Sequence, residues 1–333
     1  MSNIDIPTHY KALLVEEHAS GFTREIKDLE IADLHKSDIL IRVKYSSLNY
    51  KDALSATGNK GVTKKYPHTP GIDAAGVVVS SNNISLKPGD EVIVTGYDLG
   101  MNVFGGFGQY ISVPAQWVVA LPAGLSLKEA MIIGTAGFTA GISLTRMSSL
   151  VDPQMGPILV SGATGGVGST ALALLKKMGY KTVAISGKQS EYDFLKSIGA
   201  DEIISRNEFE SLDNKPILTA KYAGGIDTVG GKILENMIKQ TLPLGAVTTC
   251  GSVGGTQINI SCFPFILRAV SLMGVSSQNY PYKARVELWN RLASDWKIEN
   301  LAELCTEITL NDLPNAIDKI LKGELKGRTI VCL

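Results

Sequence analysis

Cysteine and histidine are scarce in this sequence, and they form no local motif. The 333 residues include four cysteines and four histidines, and no two cysteines have the Cys-x-x-Cys spacing found in many zinc sites. The histidines lie between His9 and His68, whereas the first cysteine is Cys250. We therefore predict no metal site, no disulfide framework and ordinary reduced thiols.

Net charge and long apolar runs are also missing. Lysine and arginine number 32, as do aspartate and glutamate, so the formal net charge is +0. Such a balance provides no overall field for a polyanion or an anionic membrane. No apolar run approaches the ~18 residues that cross a bilayer, and Asp5, Pro7 and His9 interrupt the stretch where a signal peptide would be apolar. These features predict a cytoplasmic protein that binds neither nucleic acid nor membranes.

Up to about residue 125 the sequence has the pattern of short β-strands. Residues 39–45 alternate apolar and polar side chains, residues 76–79 form a compact β-branched run, and a Pro-Gly turn leads into 91–95. No long helical pattern separates these runs. The first part of the chain is therefore predicted to form a small barrel or sandwich.

From about residue 127 strands alternate with helices. Residues 157–161 and 181–186 are predicted strands, and between them the apolar side chains of 167–178 recur at helical spacing. The alternation continues to about residue 295 and predicts a doubly wound parallel sheet. The run 328–332 is a predicted strand that we expect to rejoin the first domain. The other predicted helices are 128–133, 139–147, 190–197, 285–295 and 314–322.

A glycine-rich turn joins the first strand of this region to its first helix. Its sequence, SGATGGVG at 161–168, is a GxxGxxG variant of the usual GxGxxG fingerprint. Glycines permit a sharp bend and a close approach of pyrophosphate to the amides that begin the helix. A purely structural turn is the alternative, and a P-loop would need a lysine that this turn lacks. The residues predicted to bind a cofactor here are Gly162, Thr164, Gly165, Gly166 and Val167.

The type of cofactor is predicted from the end of the second strand. An NAD site usually has an acidic residue at about 20 residues past the glycine turn, where it binds the ribose 2′-hydroxyl. This chain instead has Ser186-Gly-Lys188, and Arg206 follows the next strand. A hydroxyl and cations can bind a 2′-phosphate. We therefore predict NADPH, with Lys188 as a plain surface lysine being the alternative.

Seven motifs together resemble those of one enzyme family, and they span essentially the whole chain in the right order. The motifs are LNYKDAL at 48–54, PGIDAAG at 70–76, GTAGFTA at 134–140, the glycine turn, GIDTVGG at 225–231, FPFILR at 263–268 and GRTIV at 327–331. On these motifs the chain is similar to the zinc-independent branch of the medium-chain dehydrogenase/reductases, and within it to the bacterial quinone oxidoreductase and acryloyl-CoA reductase group.

The resemblance implies an α/β protein with two domains. Residues 1–126, completed by 300–333, would form a GroES-like β-rich catalytic domain, and 127–299 an NADPH-binding Rossmann domain. The active site would lie between the two, and such proteins are commonly homodimers. Zinc-dependent relatives have Gly-His-Glu where this chain has Gly71-Ile-Asp73, so the resemblance implies a reaction without zinc.

By analogy with the family, three residues are predicted to be catalytic. Asn49 and Asp73 would line the site, with the Asn49 amide donating to a substrate oxygen and Asp73 orienting Asn49, a water or the cofactor ribose. Tyr50 would contact the cofactor or relay a proton, although a phenol with a pKa near ~10 is a slow acid at pH 7. From spacing alone, a loop turn with a packed aromatic is the alternative for Asn49 and Tyr50.

Three further residues are predicted to contact the nicotinamide. Thr135 would bind its amide, or would simply cap a helix. Ser252 follows a predicted strand at the carboxyl edge of the sheet, where cofactors bind, and Ile266 lies in the next motif. A packing role in a buried loop is the alternative for Ser252 and Ile266.

The leading functional hypothesis is an NADPH-dependent reductase of a small electrophile. Without a metal, hydrogen-bond donors must polarise the substrate carbonyl, which suits a quinone or an activated C=C in an enone or an acryloyl-CoA-like thioester. One alternative is a zinc-type alcohol dehydrogenase. Another is a non-enzymatic NADPH-binding sensor.

Overall fold

The computed structural model describes residues 6–333. The chain divides into two compact units. The first contains the residues up to Thr135, with Gln278–Ser294 and Cys305–Leu333, and the second contains Ala136–Ser277 and Asp295–Leu304.

The regular elements follow the chain from His9 to Cys332. The strands are β1 His9–His18, β2 Gly21–Glu30, β3 Ile39–Leu48, β4 Asp73–Ser81, β5 Glu91–Thr95, β6 Tyr110–Val113, β7 Val118–Ala120, β8 Ile158–Val160, β9 Thr182–Ser186, β10 Glu202–Ser205, β11 Tyr222–Asp227, β12 Thr241–Thr249, β13 Ser271–Gly274, β14 Cys305–Thr309 and β15 Arg328–Cys332. The helices are α1 Tyr50–Ala56, α2 Leu127–Met147, α3 Gly166–Lys177, α4 Tyr192–Ile198, α5 Arg206–Glu210, α6 Gly231–Lys239, α7 Phe263–Arg268, α8 Tyr282–Ala293 and α9 Leu313–Leu321.

A mostly antiparallel sheet dominates the first unit. Its strand order is β14, β15, β3, β4, β5, β7, with β6 also paired to β3. The late strand β15 pairs with β3, so that Thr329 lies opposite Leu48. This register places Arg328 beside the point where β3 ends and Asn49 begins the next element. The hairpin of β1 and β2 forms a separate two-stranded sheet.

Alternate side chains of β3 are apolar, and they anchor this sheet in the core of the first unit. Ile39, Ile41 and Val43 are at most 1% exposed and pack in one cluster with side chains from β4 to β7. Burying each such side chain contributes about 1.5–3 kcal/mol. None of the helices described in residues 6–333 has the length and apolar character needed to cross a membrane.

The second unit is a doubly wound parallel sheet. Its strand order is β10, β9, β8, β11, β12, β13, and every pairing is parallel. Numbered within the unit this order is 3-2-1-4-5-6, the arrangement that binds dinucleotides where the strand order reverses. The apolar stripe of α3 is buried, with Ala171, Leu174 and Leu175 fully covered. The predicted fold class is confirmed.

Two elements differ from the sequence prediction. Helix α1 was not predicted, since seven residues are too few to show a helical period. The two helical pieces predicted at 128–133 and 139–147 belong to one element, α2, that is kinked at Gly134. There the backbone has φ 49° and ψ −161°, a conformation that only glycine adopts readily.

Candidate active site

Asn49 lies between β3 and α1, at the helix start. Its backbone N–H donates to Asp52 Oδ2 at 2.8 Å, and the backbone N–H of Asp52 donates to the Asn49 carbonyl at 3.0 Å. This reciprocal pair fixes the start of the helix in the manner of a capping box. Asn49 is 9% exposed, so its side chain faces the interior of the first unit.

The carboxylate of Asp73 is the centre of the buried hydrogen-bond network. It is 0% exposed, and its Oδ2 accepts from Ser47 Oγ at 2.5 Å, Asn49 Nδ2 at 2.8 Å and the Thr135 N–H at 2.9 Å. Its Oδ1 accepts from Thr135 Oγ1 at 2.5 Å. Asp73 therefore orients Asn49 and Thr135. Of the roles predicted for it, the geometry favours holding Asn49.

Arg328 supplies the positive charge of this network. It is 2% exposed, its Nη2 donates to Ser47 Oγ at 2.8 Å, and the same nitrogen lies 3.9 Å from Asp73 Oδ2. Its Nη1 donates to Asn49 Oδ1 at 3.3 Å, while Asn49 Nδ2 faces carboxylates. Because both ends of the Asn49 amide are engaged, its orientation is fixed.

A second buried carboxylate belongs to the network. Asp52 is 0% exposed, and its Oδ1 accepts from the Ile72 N–H at 2.8 Å. Burial, and then the nearby charge of Asp73, raise the pKa of Asp52 to about 7. The sequence analysis did not single out Asp52 or Arg328. Two features of the sequence could have identified them. Asp52 lies three residues after Asn49, which is the spacing of a helix cap. Arg328 begins an otherwise apolar strand, and a cation that is buried there needs a partner.

The glycine at the kink of α2 permits this close packing. A Cβ added to Gly134 would lie 2.6 Å from Ser47 Oγ, 2.7 Å from Arg328 Nη2 and 2.8 Å from Asp73 Oδ2. Real Cβ contacts are not this short, so a side chain here would displace the network. The kink also brings the Thr135 N–H and hydroxyl to Asp73.

In the second unit the glycine turn connects β8 to α3. Gly162 has φ +56°, and a Cβ on Gly168 would lie 2.4 Å from the Gly162 carbonyl oxygen, so both glycines are required by the tight turn. Gly165 is exposed, and within residues 6–333 no side chain caps the first amides of α3. Free amides at the N-terminus of a twelve-residue helix suit a pyrophosphate. The turn therefore fits a dinucleotide.

A buried carboxylate that the sequence analysis missed holds the neighbouring loop. Asp227, at the end of β11, is 0% exposed and accepts from Ser161 Oγ at 2.7 Å and Thr249 Oγ1 at 2.8 Å. The Gly230 N–H also donates to it, at 3.0 Å. These contacts tie together the ends of β8, β11 and β12. The feature of the sequence that could have identified Asp227 is an acidic residue within the mostly apolar run 225–229.

The residues predicted to set cofactor type lie together at the end of β9. Ser186 is buried, and its Oγ accepts from the Lys188 N–H at 3.1 Å. A Cβ on Gly187 would lie 3.0 Å from Arg206 Nη2, so the Arg206 guanidinium rests against this glycine. The end of the strand thus brings together the Ser186 hydroxyl, the Lys188 backbone and the Arg206 guanidinium.

Three of the remaining predicted residues, Ser252, Ile266 and Tyr50, lie at exposed positions, whereas Thr164 is buried. Ser252 is exposed in the loop after β12, and its Cα would lie 3.2 Å from a Cβ on Gly230. Ile266, on α7, is 67% exposed. Tyr50, in the first turn of α1, is 43% exposed. Thr164 is buried within the glycine turn. Among the side chains of residues 6–333, no group of three or more His, Cys, Asp or Glu is arranged to hold a metal ion.

Two protein families match the chain. The alcohol dehydrogenase GroES-like domain matches residues 35–123. The zinc-binding dehydrogenase family matches residues 166–294. The first match lies in the antiparallel sheet of the first unit, and the second begins at the glycine turn.

Relatives match over nearly the full length. YhfP from Bacillus subtilis, which is provisionally named a quinone oxidoreductase, is 42% identical over 98% of this chain and 99% of its own. The acrylyl-CoA reductase AcuI from Ruegeria pomeroyi is 39% identical over 97% of this chain and 98% of its own.

Solved structures agree with these matches. The yhdH oxidoreductase from Salmonella enterica, in complex with NADP, is 43% identical and superposes with a TM-score of 0.94 over 97% of this chain and 99% of its own. Bacillus subtilis yhfP, with NAD bound, is 42% identical with a TM-score of 0.96 over 98% of this chain and 100% of its own. As its motifs predict, the chain belongs to the medium-chain dehydrogenase/reductases, in the zinc-independent group of the quinone oxidoreductases and acrylyl-CoA reductases.

Proposed function

We propose that this protein is an NADPH-dependent oxidoreductase that reduces a quinone or an activated C=C, as in an enone or an acryloyl-CoA-like thioester. The observation that carries the proposal is the end of β9, where Ser186, Lys188 and Arg206 meet and residues 186–190 contain no carboxylate. A 2′-phosphate has cationic partners there and no acidic residue to repel it. The names of the relatives support the reaction class.

The cofactor is held by backbone and side chains of the second unit. Gly162, Thr164, Gly165, Gly166 and Val167 would surround the pyrophosphate, with the free amides of α3 facing its charge. Ser252 and Ile266 would contact the nicotinamide, and Asp227 would keep the adjoining loop in place. When bound, NADPH supplies the hydride.

The buried network of the first unit holds the substrate side of the site. Asp73 and Arg328 are positioning residues because both are buried, and they act by fixing Asn49 and Thr135. The Asn49 Nδ2 group donates to Asp73 at 2.8 Å and lies 3.2 Å from Asp52 Oδ2. The predicted donation from Asn49 to a substrate oxygen would compete with these contacts. Tyr50 and Thr135 remain proposed contacts of the cofactor.

Cofactor choice is the first test, since one similar structure carries NADP and another NAD. We expect NADPH to bind more tightly than NADH, and Lys188→Asp to weaken NADPH by about tenfold or more, the equivalent of one lost charge-assisted hydrogen bond. NADH affinity should change little. Fluorescence titration with both cofactors measures this, and Lys181→Asp, an exposed lysine at the other end of β9, is the matched control. Equal loss for both cofactors would remove Lys188 from the 2′-phosphate site.

Substrate class is tested by steady-state assays with NADPH. Acryloyl-CoA, crotonyl-CoA and benzoquinone separate thioester from quinone reduction. Turnover of at least one is expected, and failure of all three would contradict the proposed reaction. Stoichiometric zinc in the purified protein would instead support the alcohol dehydrogenase alternative.

We also propose that the protein is a cytoplasmic homodimer. Strand β13 is the edge of the parallel sheet, and the adjoining helix α7 exposes Phe263 and Leu267. An exposed edge beside apolar side chains is a surface that proteins commonly cover. Light scattering after gel filtration should give twice the monomer mass of 35.6 kDa. The cytoplasmic location is proposed from the composition of the chain, and cell fractionation tests it.

A further inference from the structure

Lys51 is a partly buried cation whose partner is neutral. It lies in the first turn of α1, and its Nζ donates to the side-chain oxygen of Gln278 at 2.9 Å. No carboxylate among residues 6–333 forms an ion pair with it. An ammonium has three donors, so this single contact leaves donors of Lys51 for another acceptor.

The partner of Lys51 is itself rigidly held. The Gln278 carbonyl accepts from the Tyr97 N–H at 2.9 Å and from Arg285 Nη2 at 3.2 Å. The Arg285 guanidinium also stacks 4.6 Å from the centre of the Tyr97 ring. These contacts fix the backbone of Gln278, which limits where the side-chain oxygen that accepts from Lys51 can lie.

Lys51 adjoins the buried network that contains Asn49. Asp52, its neighbour on α1, accepts from the Ile72 N–H, and the Ile72 carbonyl accepts from the Gly96 N–H at 2.9 Å. Gly96 packs on Gln278, since a Cβ there would lie 2.9 Å from the Gln278 carbonyl oxygen. One continuous layer of backbone thus links the carboxylates to the lysine.

Among the charged side chains of this region, accessibility distinguishes Lys51. Asp52 and Asp73 are 0% exposed and Arg328 is 2% exposed, whereas Lys51 is only half-buried. The buried three cannot touch a substrate. Lys51, two residues after Asn49 in the sequence, is accessible enough to do so.

The surroundings of Lys51 also favour loss of its proton. Burial lowers its pKa from the ordinary 10.5, and the negative charge of Asp52 opposes this only in part. On the neighbouring elements the charged and titratable groups are Arg285 and Tyr97, which both contact Gln278. An amine with a lowered pKa is a better acid near neutral pH.

We propose that Lys51 binds the substrate oxygen on which negative charge develops and supplies the proton of the reduction. This rests on the proposed function. A hydride brings two electrons to the substrate carbon, and the displaced π pair moves onto the oxygen. The Nζ–H bond then breaks, its electron pair stays on nitrogen, and the proton goes to that oxygen. From a quinone the first product is a keto tautomer, which becomes the hydroquinone when water removes a proton from the ring carbon and another protonates the second oxygen. From a thioester it is an enol, which becomes the saturated thioester by the reverse proton shift in water. Water then returns a proton to Lys51.

The first test is kinetic. Lys51→Met should lower kcat by about 100-fold or more, the usual contribution of a general acid, while NADPH affinity and the circular dichroism spectrum stay unchanged. Lys51→Arg should keep substrate affinity but lose the fall of kcat at alkaline pH, because a guanidinium does not titrate there. Lys44→Met, at an exposed position on β3, is the control and should behave as wild type.

The second test does not depend on turnover. In the protein with ¹³C-methylated lysines, the NMR signal missing from Lys51→Met reports the Lys51 amine. The pKa of this amine should lie below that of the exposed lysines. It should rise in Gln278→Glu, because a carboxylate would then face the ammonium. The Lys51 signal should also shift when propionyl-CoA is added.

The outcomes separate the two proposals. The role of Lys51 is overturned and the reaction class stands if the wild type reduces a substrate and Lys51→Met keeps kcat within about threefold. It is overturned equally if the wild type reduces a CoA thioester and propionyl-CoA leaves the Lys51 signal unmoved. If the wild type reduces none of the substrates, both fall.

Discussion

At the scale of single residues, the site depends on groups that are satisfied only by long-range partners. Arg328 donates to Asn49 across 279 positions of sequence, and Asp73 accepts from Thr135 across 62. The family motifs contain all four residues, and from them the sequence predicts Asn49 and Asp73 as candidate site residues. It could not predict that Asn49 turns its amide inward, because that depends on where Arg328 lies after folding.

Gly134 gives a direct prediction. Gly134→Ala should lower the free energy of unfolding and activity together, since the backbone there costs about 1–3 kcal/mol for a residue with a side chain and its Cβ would collide with Ser47 and Arg328. Gly323→Ala is the control, because Gly323 has φ +69° with nothing near the added Cβ. Urea unfolding compares the two. Equal losses would show that the collision has no effect.

His68 predicts how stability depends on pH. It is 2% exposed, and burial lowers its pKa to about 4 from the ordinary 6.5. The folded protein keeps the ring neutral, so the buried ring destabilises the fold once the unfolded chain can take up a proton. Its contribution to the free energy of unfolding is therefore fully present above pH 6.5, and roughly 3 kcal/mol is lost as the pH falls towards 4. His68→Phe, which retains a ring beside Phe104, should flatten this decline in urea unfolding between pH 7 and pH 4. A decline as steep as in the wild type would contradict the assignment.

At the scale of elements, the sequence predicts best where the pattern is local. Strands β5 and β15 begin and end where the sequence predicts them, because turn residues or a change of polarity mark both ends. Helix α1 was missed because its seven residues show no period, although the Asn49–Asp52 spacing was available as a cap signal. The kink of α2 was visible only as a gap between two helical patterns.

Strand β15 carries a prediction of its own, because its first residue neutralises the network. Arg328→Met should cost about 3–5 kcal/mol by leaving buried carboxylates unpaired. The loss should be smaller at pH 6 than at pH 8, since Asp52, with a pKa of about 7, is mostly protonated at the lower pH. Urea unfolding at both values measures it. Arg24→Met is the control. It removes an exposed ion pair with Asp318 and should cost no more than about 1 kcal/mol at either pH. A loss for Arg328→Met that does not depend on pH would contradict the proposed network.

At the scale of the whole molecule, the two units divide the chemistry. The parallel sheet has the strand order of a dinucleotide site. Its glycine turn and cationic strand end were predictable because they occupy residues 158–206 in sequence. The antiparallel unit contains the polar network, whose carboxylates lie in residues 1–135 and whose cation, Arg328, lies in the last stretch of the chain. Its chemistry was therefore harder to foresee.

The late position of β15 has a consequence for how the protein is made. During synthesis, the sheet that holds Asn49 and Asp73 emerges from the ribosome long before Arg328 exists. Until β15 arrives, the carboxylates of Asp52 and Asp73 have no Arg328 beside them and must stay hydrated or protonated, so this network can form only after the residues of the second unit have been translated.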